Sequence, residues 1–187
     1  VPKRVKTNGA AASKKAKSKS TAGKAKKSLA PEIVSYTLDN GAQLHVKPRR
    51  DIPVVAVRAA FLGGLLAQTS ETAGISHFLS STWLRGTRSR SSGDLARAME
   101  DIASEIDGFS GRSSLGLTLD VAIDQFEPAL DLFAEVMLEP GLAVEEIEKE
   151  RRETLATIER MEDQLSGQAF QLFTRTHFDA HPYRLPM

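Results

Sequence analysis

The stretch that decides the fold, residues 74–87, reads G-I-S-H-F-L-S-S-T-W-L-R-G-T. Apolar residues recur in it at helical spacing, which predicts the central helix of the domain, beginning near Glu71. Positions i, i+3 and i+4 of a helix share one face, so His77, Ser80 and Ser81 should project together, one imidazole beside two hydroxyls. The apolar side of the same helix is predicted to consist of Ile75, Phe78, Leu79 and Trp83.

The frame G-I-x-H-F-L-x-x-x-x-L-x-G-T resembles the N-terminal domain of the insulinase, or pitrilysin, family of metallopeptidases, family M16. Those enzymes carry an inverted zinc motif, H-x-x-E-H, in which the histidines bind zinc and the glutamate activates water. The resemblance implies that Ser80 occupies the glutamate position and Ser81 the second histidine position. By the same register the third metal ligand, a carboxylate on a later helix, falls on Thr157, while an earlier glutamate of that helix is kept as Glu150. The resemblance covers about residues 32–187.

The residue types at these positions argue against zinc catalysis. A catalytic zinc takes three protein ligands and a water that must lose a proton. Serine and threonine hydroxyls stay protonated near neutral pH and offer a dication little charge, and no general base stands at the glutamate position. We therefore predict no catalytic residues, no bound metal and no cofactor in this chain, with zinc only in an active partner. The degenerate positions are His77, Ser80, Ser81, Glu150 and Thr157.

Charge divides the chain into two parts. Its 187 residues are 41% hydrophobic and 26% charged, which suits one globular domain. Residues 1–31 hold ten of the 25 Lys and Arg and no acid, whereas the remainder carries 15 basic and 24 acidic residues. The first segment has almost nothing large to bury, which predicts a disordered basic tail before an M16-like domain at 32–187. Its function stays open between a solubilising extension and an arm for nucleic acid, an anionic membrane or an acidic partner.

Composition also bears on the compartment. No apolar run approaches the ~20 residues that span a bilayer, and no signal-peptide core is visible. The absence of cysteine excludes disulfides and thiolate ligands. We expect a soluble protein of the bacterial cell envelope, periplasm or cytoplasm rather than of the mitochondrial matrix, because transit peptides favour Arg over Lys and have an apolar face.

The remaining pattern predicts the α+β class, an antiparallel sheet packed against several helices. Strands are expected at 32–38 and 43–47 around the Asp39-Asn40-Gly41 turn, with 54–62 beside them in one sheet. Two more strands are expected at 105–109 and 113–121, the second from its alternating leucines. The sequence stops soon after Tyr183, where an M16 domain usually continues, so the domain is expected to be incomplete.

Four more helices are expected. One is capped by Ser91 or Ser92 and the next by Asp124. A long helix spans Val144 to Leu165, and a last one contains Phe170, Leu172 and Phe173. The buried seam of the long helix is predicted to be Val144, Ile147, Arg151, Leu155, Ile158 and Leu165, beside a polar stripe of Glu146, Glu150, Glu153 and Thr157.

Two further features concern binding. In the M16 family the region matching Ser110, Gly111 and Arg112 supplies a sheet edge that pairs with an extended peptide, and such pairing needs no zinc. The alternative is an internal hairpin with a covered edge. His177 and His181 have the i, i+4 spacing of a metal pair, but Pro182 interrupts a helix there and a third ligand is lacking.

Three functions remain open at this point. The first is a non-catalytic M16 homologue, a structural or regulatory subunit forming a peptide-binding chamber with an active M16 subunit or a second M16 half-domain. The second is a stand-alone peptide-binding or scaffold protein. The third is a zinc metalloendopeptidase that takes its ligands from elsewhere.

Overall fold

The computed structural model describes residues 32–186, so the basic segment predicted to be disordered lies outside the described residues. The strands are β1 Val34–Thr37, β2 Gln43–Val46, β3 Val54–Leu62, β4 Glu105–Ser110 and β5 Ser114–Ala122. The helices are α1 Ile75–Thr82, α2 Ser92–Asp101, α3 Phe126–Leu138, α4 Val144–Glu162 and α5 Leu165–His177, with 3-10 turns at Gly64–Ala67, Ile123–Gln125 and Pro182–Arg184. Antiparallel strands and helices confirm the predicted α+β class. No helix in the described part of the chain is long and apolar enough to cross a membrane.

The strands form two sheets rather than one. Strands β1 and β2 pair as an antiparallel hairpin in a compact unit that ends at Arg49. Its turn is the predicted one, because Gly41 has a φ of 84° and the Asn40 side chain accepts from the Ala42 amide at 3.0 Å. The expectation that β3 joins this sheet was wrong: β3 pairs with β5. The connecting residues 48–53 include two prolines and no tight-turn pair, so nothing folds β3 back onto β2.

In the second unit, from Arg50 onward, β5 is the central strand of the order β3-β5-β4. The alternating leucines of β5 point into the core, with Leu117 and Leu119 fully buried. Gly116 allows β5 to lie close to β3, because a Cβ there would sit 1.9 Å from the carbonyl oxygen of Ala59. The remaining core residues are Trp83, Leu95, Ile106, Val121, Ala129, Leu132, Phe133 and Val136.

Helix α1 packs on β4 through its small polar residues. It begins at Ile75 rather than near Glu71, because Gly74 has a left-handed φ of 90° that stops a helix from extending further back. The predicted apolar side was wrong for Ile75, which is 58% exposed, and for Leu79, which is also exposed. The reason is the close contact with Gly108 of β4: a Cβ there would lie 2.1 Å from the carbonyl oxygen of Ser80.

The outer helices depart from the prediction in their caps and faces. Ser91 does cap α2, accepting from the Asp94 amide at 3.2 Å, whereas Asp124 lies in a 3-10 turn before α3. Helix α4 ends at Glu162. Its predicted apolar seam is largely exposed, with Val144 at 71%, and its buried side chain is Glu150 at 7%. The face of α4 that meets α1 is therefore the polar one.

Candidate functional site

The three positions of the zinc-type motif on α1 are not equivalent. His77 is exposed, Ser81 is half-buried and Ser80 is only 4% exposed. The Ser80 hydroxyl donates to the backbone carbonyl of His77 at 2.7 Å, and the Ser81 hydroxyl donates to the same oxygen at 3.2 Å. The prediction that both hydroxyls project beside the imidazole was wrong, because each turns back onto its own helix.

Thr157 behaves in the same way on α4. Its hydroxyl donates to the backbone carbonyl of Glu153 at 2.9 Å and accepts from the Arg160 guanidinium at 2.9 Å. All three hydroxyls at the motif positions thus give their proton to a carbonyl of their own helix. They satisfy local backbone groups rather than face an exogenous ligand.

The residues of this region do not fit a zinc ion. Zinc sites in proteins are built from thiolate, imidazole and carboxylate ligands, and His77 is the one such group at the motif positions of α1. Within residues 32–186, no three His, Cys, Asp or Glu side chains lie close enough together to hold a metal ion.

A half-buried ion pair, Arg85 with Glu150, lies two helical turns before Thr157. Arg85, after α1, donates to a carboxylate oxygen of Glu150 through Nε at 2.9 Å and also through Nη2, which reaches Glu153 at 2.6 Å. The hydrogen bond to Glu150 raises the pKa of Arg85 above its ordinary value. The pair compensates a carboxylate that would otherwise be buried uncompensated. Glu150 was distinguished in the sequence from the other residues of its polar stripe, but its partner Arg85 was not predicted. The available signal was a glutamate on a helix face that packs against another helix, because such a carboxylate needs a cationic partner.

A second polar cluster, which was also not predicted from the sequence, holds the loop between α1 and α2 against α3. Glu135 accepts from the hydroxyls of Thr87 at 2.6 Å and Ser89 at 2.5 Å, and from Arg90 Nε at 3.1 Å. These bonds, led by that from Ser89, lower the pKa of Glu135. The loop that follows the motif is therefore held at both ends, by Glu150 and by Glu135.

The region of the predicted peptide-binding residues is only partly open. The Gly111 amide donates to Ser114 at 2.8 Å, and the carbonyls of Gly111 and Arg112 accept from Leu65 and Leu66. Ser110 belongs to β4, which pairs with β5 along one edge and with no other strand among the described residues. The open edge is therefore β4 itself, Glu105–Ser110, and the peptide-binding role stays a prediction.

The two C-terminal histidines lie on different elements. Helix α5 ends at His177, whereas the Nδ1 of His181 accepts from the Tyr183 amide at 3.2 Å and starts the next 3-10 turn. The ring of Phe178 lies between them, 4.8 Å from His177 and 6.1 Å from His181. The predicted interruption of the helix before Pro182 is confirmed.

Comparison with known proteins assigns this chain to a family. A family model described as insulinase, peptidase family M16, matches residues 49–187. The chain belongs to the M16 family. An uncharacterised zinc protease of Mycobacterium leprae is 28% identical over 137 residues, which are 71% of this chain and 31% of that protein. A probable mitochondrial-processing peptidase subunit beta of Arabidopsis thaliana is 24% identical over 153 residues, 82% of this chain and 29% of that protein.

A solved structure supports the M16 fold. A peptidase M16 inactive domain from Pseudomonas fluorescens superposes with a TM-score of 0.77 at 20% identity, over 82% of this chain and 38% of that one. The chain spans about a third of the length of the curated relatives that it matches. Membership of M16 confirms the family recognised in the sequence.

Proposed function

We propose that this M16 domain is non-catalytic and holds an extended peptide beside an M16 partner that has an intact H-x-x-E-H motif. One observation carries the first half of the proposal: the hydroxyls of Ser80, Ser81 and Thr157 are bonded to carbonyls of their own helices. A water molecule placed there would have neither a Lewis acid nor a base to remove its proton. Cleavage by the M16 mechanism therefore lacks both of its requirements in this domain.

The open edge of β4 supports peptide holding. An edge strand offers a row of unpaired amides and carbonyls with which an extended chain can pair. Strand β4 is supported along its length, by β5 on one edge and by α1 packed against Gly108. A rigid edge loses little conformational freedom when a peptide binds, which favours affinity.

The partner half of the proposal has support from the names of relatives. One relative is named as subunit beta of mitochondrial-processing peptidase, and others are named zinc proteases. This chain spans only 29% of the first and 31% of the second. A domain of this kind would work as one wall of a larger peptide-binding chamber.

Zinc content and partner activity test the proposal together. The purified chain is expected to hold no stoichiometric zinc by elemental analysis and to cleave no peptide. Added to an M16 partner with intact H-x-x-E-H, it is expected to co-elute on sizing and to raise the partner's cleavage rate. Stoichiometric zinc with cleavage by the chain alone would establish the peptidase alternative. Peptide binding without a complex or a change in rate would support the stand-alone alternative.

Backbone-modified peptides test strand pairing. Methylating alternate peptide nitrogens on one edge removes donors without changing side chains, and each lost hydrogen bond should weaken binding by up to about tenfold. Methylating the other set, which faces away from β4, serves as the matched control and should have a smaller effect. Equal sensitivity to both sets would contradict binding by strand addition.

A further inference from the structure

A groove near the C-terminal end of α5 is lined by hydrogen-bond donors. Its volume is about 600 Å³, and it is lined by Arg175, Arg184 and His181 together with Gln68 and Ser70. Among the residues that the structure describes, no Asp or Glu lines it. That composition contrasts with residues 50–186 as a whole, which carry 22 acidic side chains against 13 Lys and Arg.

The two arginines of the groove have their charge available. Arg184 donates through Nη1 to the backbone carbonyl of Asp179 at 2.5 Å, and within residues 32–186 neither Arg184 nor Arg175 forms an ion pair. Arg85 and Arg90 of the same unit, by contrast, both contact carboxylates. A guanidinium without a carboxylate partner keeps its forked set of donors for a ligand.

Two neutral donors complete the lining. The Nδ1 of His181 accepts from the Tyr183 amide, so in the neutral imidazole the Nε2 carries the proton and donates. Gln68 is only 8% exposed, and its Oε1 accepts from the Gly74 amide at 2.8 Å. The side-chain amide nitrogen of Gln68 is a hydrogen-bond donor, which suits a ligand that accepts hydrogen bonds.

The groove adjoins the tip of the β4–β5 hairpin. The Tyr183 ring packs edge-on against Phe178 at 5.6 Å, and the Arg112 guanidinium lies over Tyr183 at 5.0 Å. The 3-10 turn before Gln68 is bonded to the carbonyls of Gly111 and Arg112. Two acids are adjacent in sequence to lining residues. Glu71 accepts from the hydroxyls of Thr69 at 2.6 Å and Ser70 at 3.3 Å, and Asp179 precedes Ala180. The groove thus combines fixed donors with proximity to the end of the open edge strand.

From these contacts we propose that the groove binds the carboxylate of a peptide, at its C-terminus or on an acidic side chain. A planar acceptor with two oxygens matches the arginine forks and meets no carboxylate side chain among the described lining residues. The peptide as the source of that carboxylate rests on the proposed function, because it is the neighbouring β4 edge that would hold the chain. A free phosphate shares the oxyanion chemistry and is distinguished by the experiment.

The experiment compares a peptide with a free C-terminal carboxylate, the same peptide as a carboxamide, and inorganic phosphate. The carboxylate peptide is expected to bind about tenfold more tightly than the carboxamide, the difference that one charge-assisted hydrogen bond supplies. In Arg175→Gln and Arg184→Gln the ratio should fall below about twofold, because each variant removes one fork. Arg152→Gln, the same change at an exposed position of α4, should leave the ratio intact. Circular dichroism verifies that each variant is folded.

Each outcome decides between the two proposals. Equal binding of the carboxylate and carboxamide peptides overturns the groove and leaves strand pairing standing. Phosphate binding that depends on Arg175 and Arg184, without a carboxylate preference, assigns the groove to phosphate and overturns the peptide assignment. Absence of binding by all three probes overturns both proposals. In the unmodified protein, NMR titration of the His181 imidazole with the carboxylate peptide gives a second measurement, and an unperturbed ring contradicts the proposal.

Discussion

Two positions of α4 that lie two helical turns apart, Glu150 and Thr157, differ in burial and in hydrogen bonding. Glu150 is buried and paired with Arg85, which ties α4 to the segment after α1. Thr157 is exposed and bonded to its own helix and to Arg160. Glu150 thus takes part in packing between elements, whereas Thr157, the position predicted for a metal ligand, forms its hydrogen bonds within α4. Contact with another element and hydrogen bonding within the helix therefore occur at different positions of α4.

The largest expected effect comes from breaking the contact on which the frame is assembled. Gly108→Ala places a methyl group 2.1 Å from the Ser80 carbonyl and should destabilise the protein by about 3 kcal/mol, because α1 must move off β4. Gly93→Ala is the matched control, since its new methyl meets only the flexible end of Arg97 at 3.8 Å and a helical alanine is favourable. Urea unfolding measures both. Similar stabilities for the two variants would disprove the close contact.

Introducing metal ligands at the predicted motif positions tests the part of this comparison that concerns metal binding and catalysis. Ser81→His with Thr157→Glu adds two ligands to His77, and zinc at about a hundred times its dissociation constant should then stabilise the variant by about 2.7 kcal/mol. No cleavage is expected until Ser80→Glu is added, because the base is still missing. Thermal unfolding with and without zinc measures the first effect, and a fluorogenic peptide measures the second. Cleavage by the two-substitution variant would contradict this separation of roles.

Truncating Glu150 tests the part of this comparison that concerns packing between elements. Glu150→Ala leaves Arg85 without its buried partner and should cost about 2 kcal/mol, less than a fully buried pair because Arg85 keeps Glu153 and is 27% exposed. Thr157→Ala, on the same helix, should change the unfolding free energy by less than about 0.5 kcal/mol. Equal costs for the two substitutions would remove the distinction between these positions.

The smallest expected effect is in the pH dependence of stability. The pKa of Glu135 is lowered in the folded protein, so its contribution is present above the ordinary carboxyl pKa of 4.5 and is lost as the pH falls through the lowered value. Thermal unfolding between pH 7 and pH 3 should therefore lose about 1 kcal/mol less in Glu135→Gln than in the unmodified protein. Parallel curves for the two proteins would show that the contacts of Ser89 and Arg90 with Glu135 are not coupled to folding.

Local patterns in the sequence predicted most elements and the family, but not which strands and faces meet. The Asn40-Gly41 turn and the Ser91 cap are set by neighbouring residues and were predicted correctly. The pairing of β3 with β5 depends on residues some sixty positions apart, and no local signal encodes it. The buried face of α1 was not predicted, for a related reason. Gly108 lies on another element, β4, and its close contact with α1 places Ser80 rather than Ile75 against that strand.

The charge of β4 determines how its open edge meets other copies of the protein. Glu105 and Asp107 are exposed and project from the same face of this strand, opposite buried Ile106. Two copies pairing edge to edge would bring four carboxylates together, which disfavours self-association and the growth of an extended sheet. The same edge remains accessible to a strand that carries basic side chains, so electrostatic repulsion between like copies leaves the surface available for a different chain.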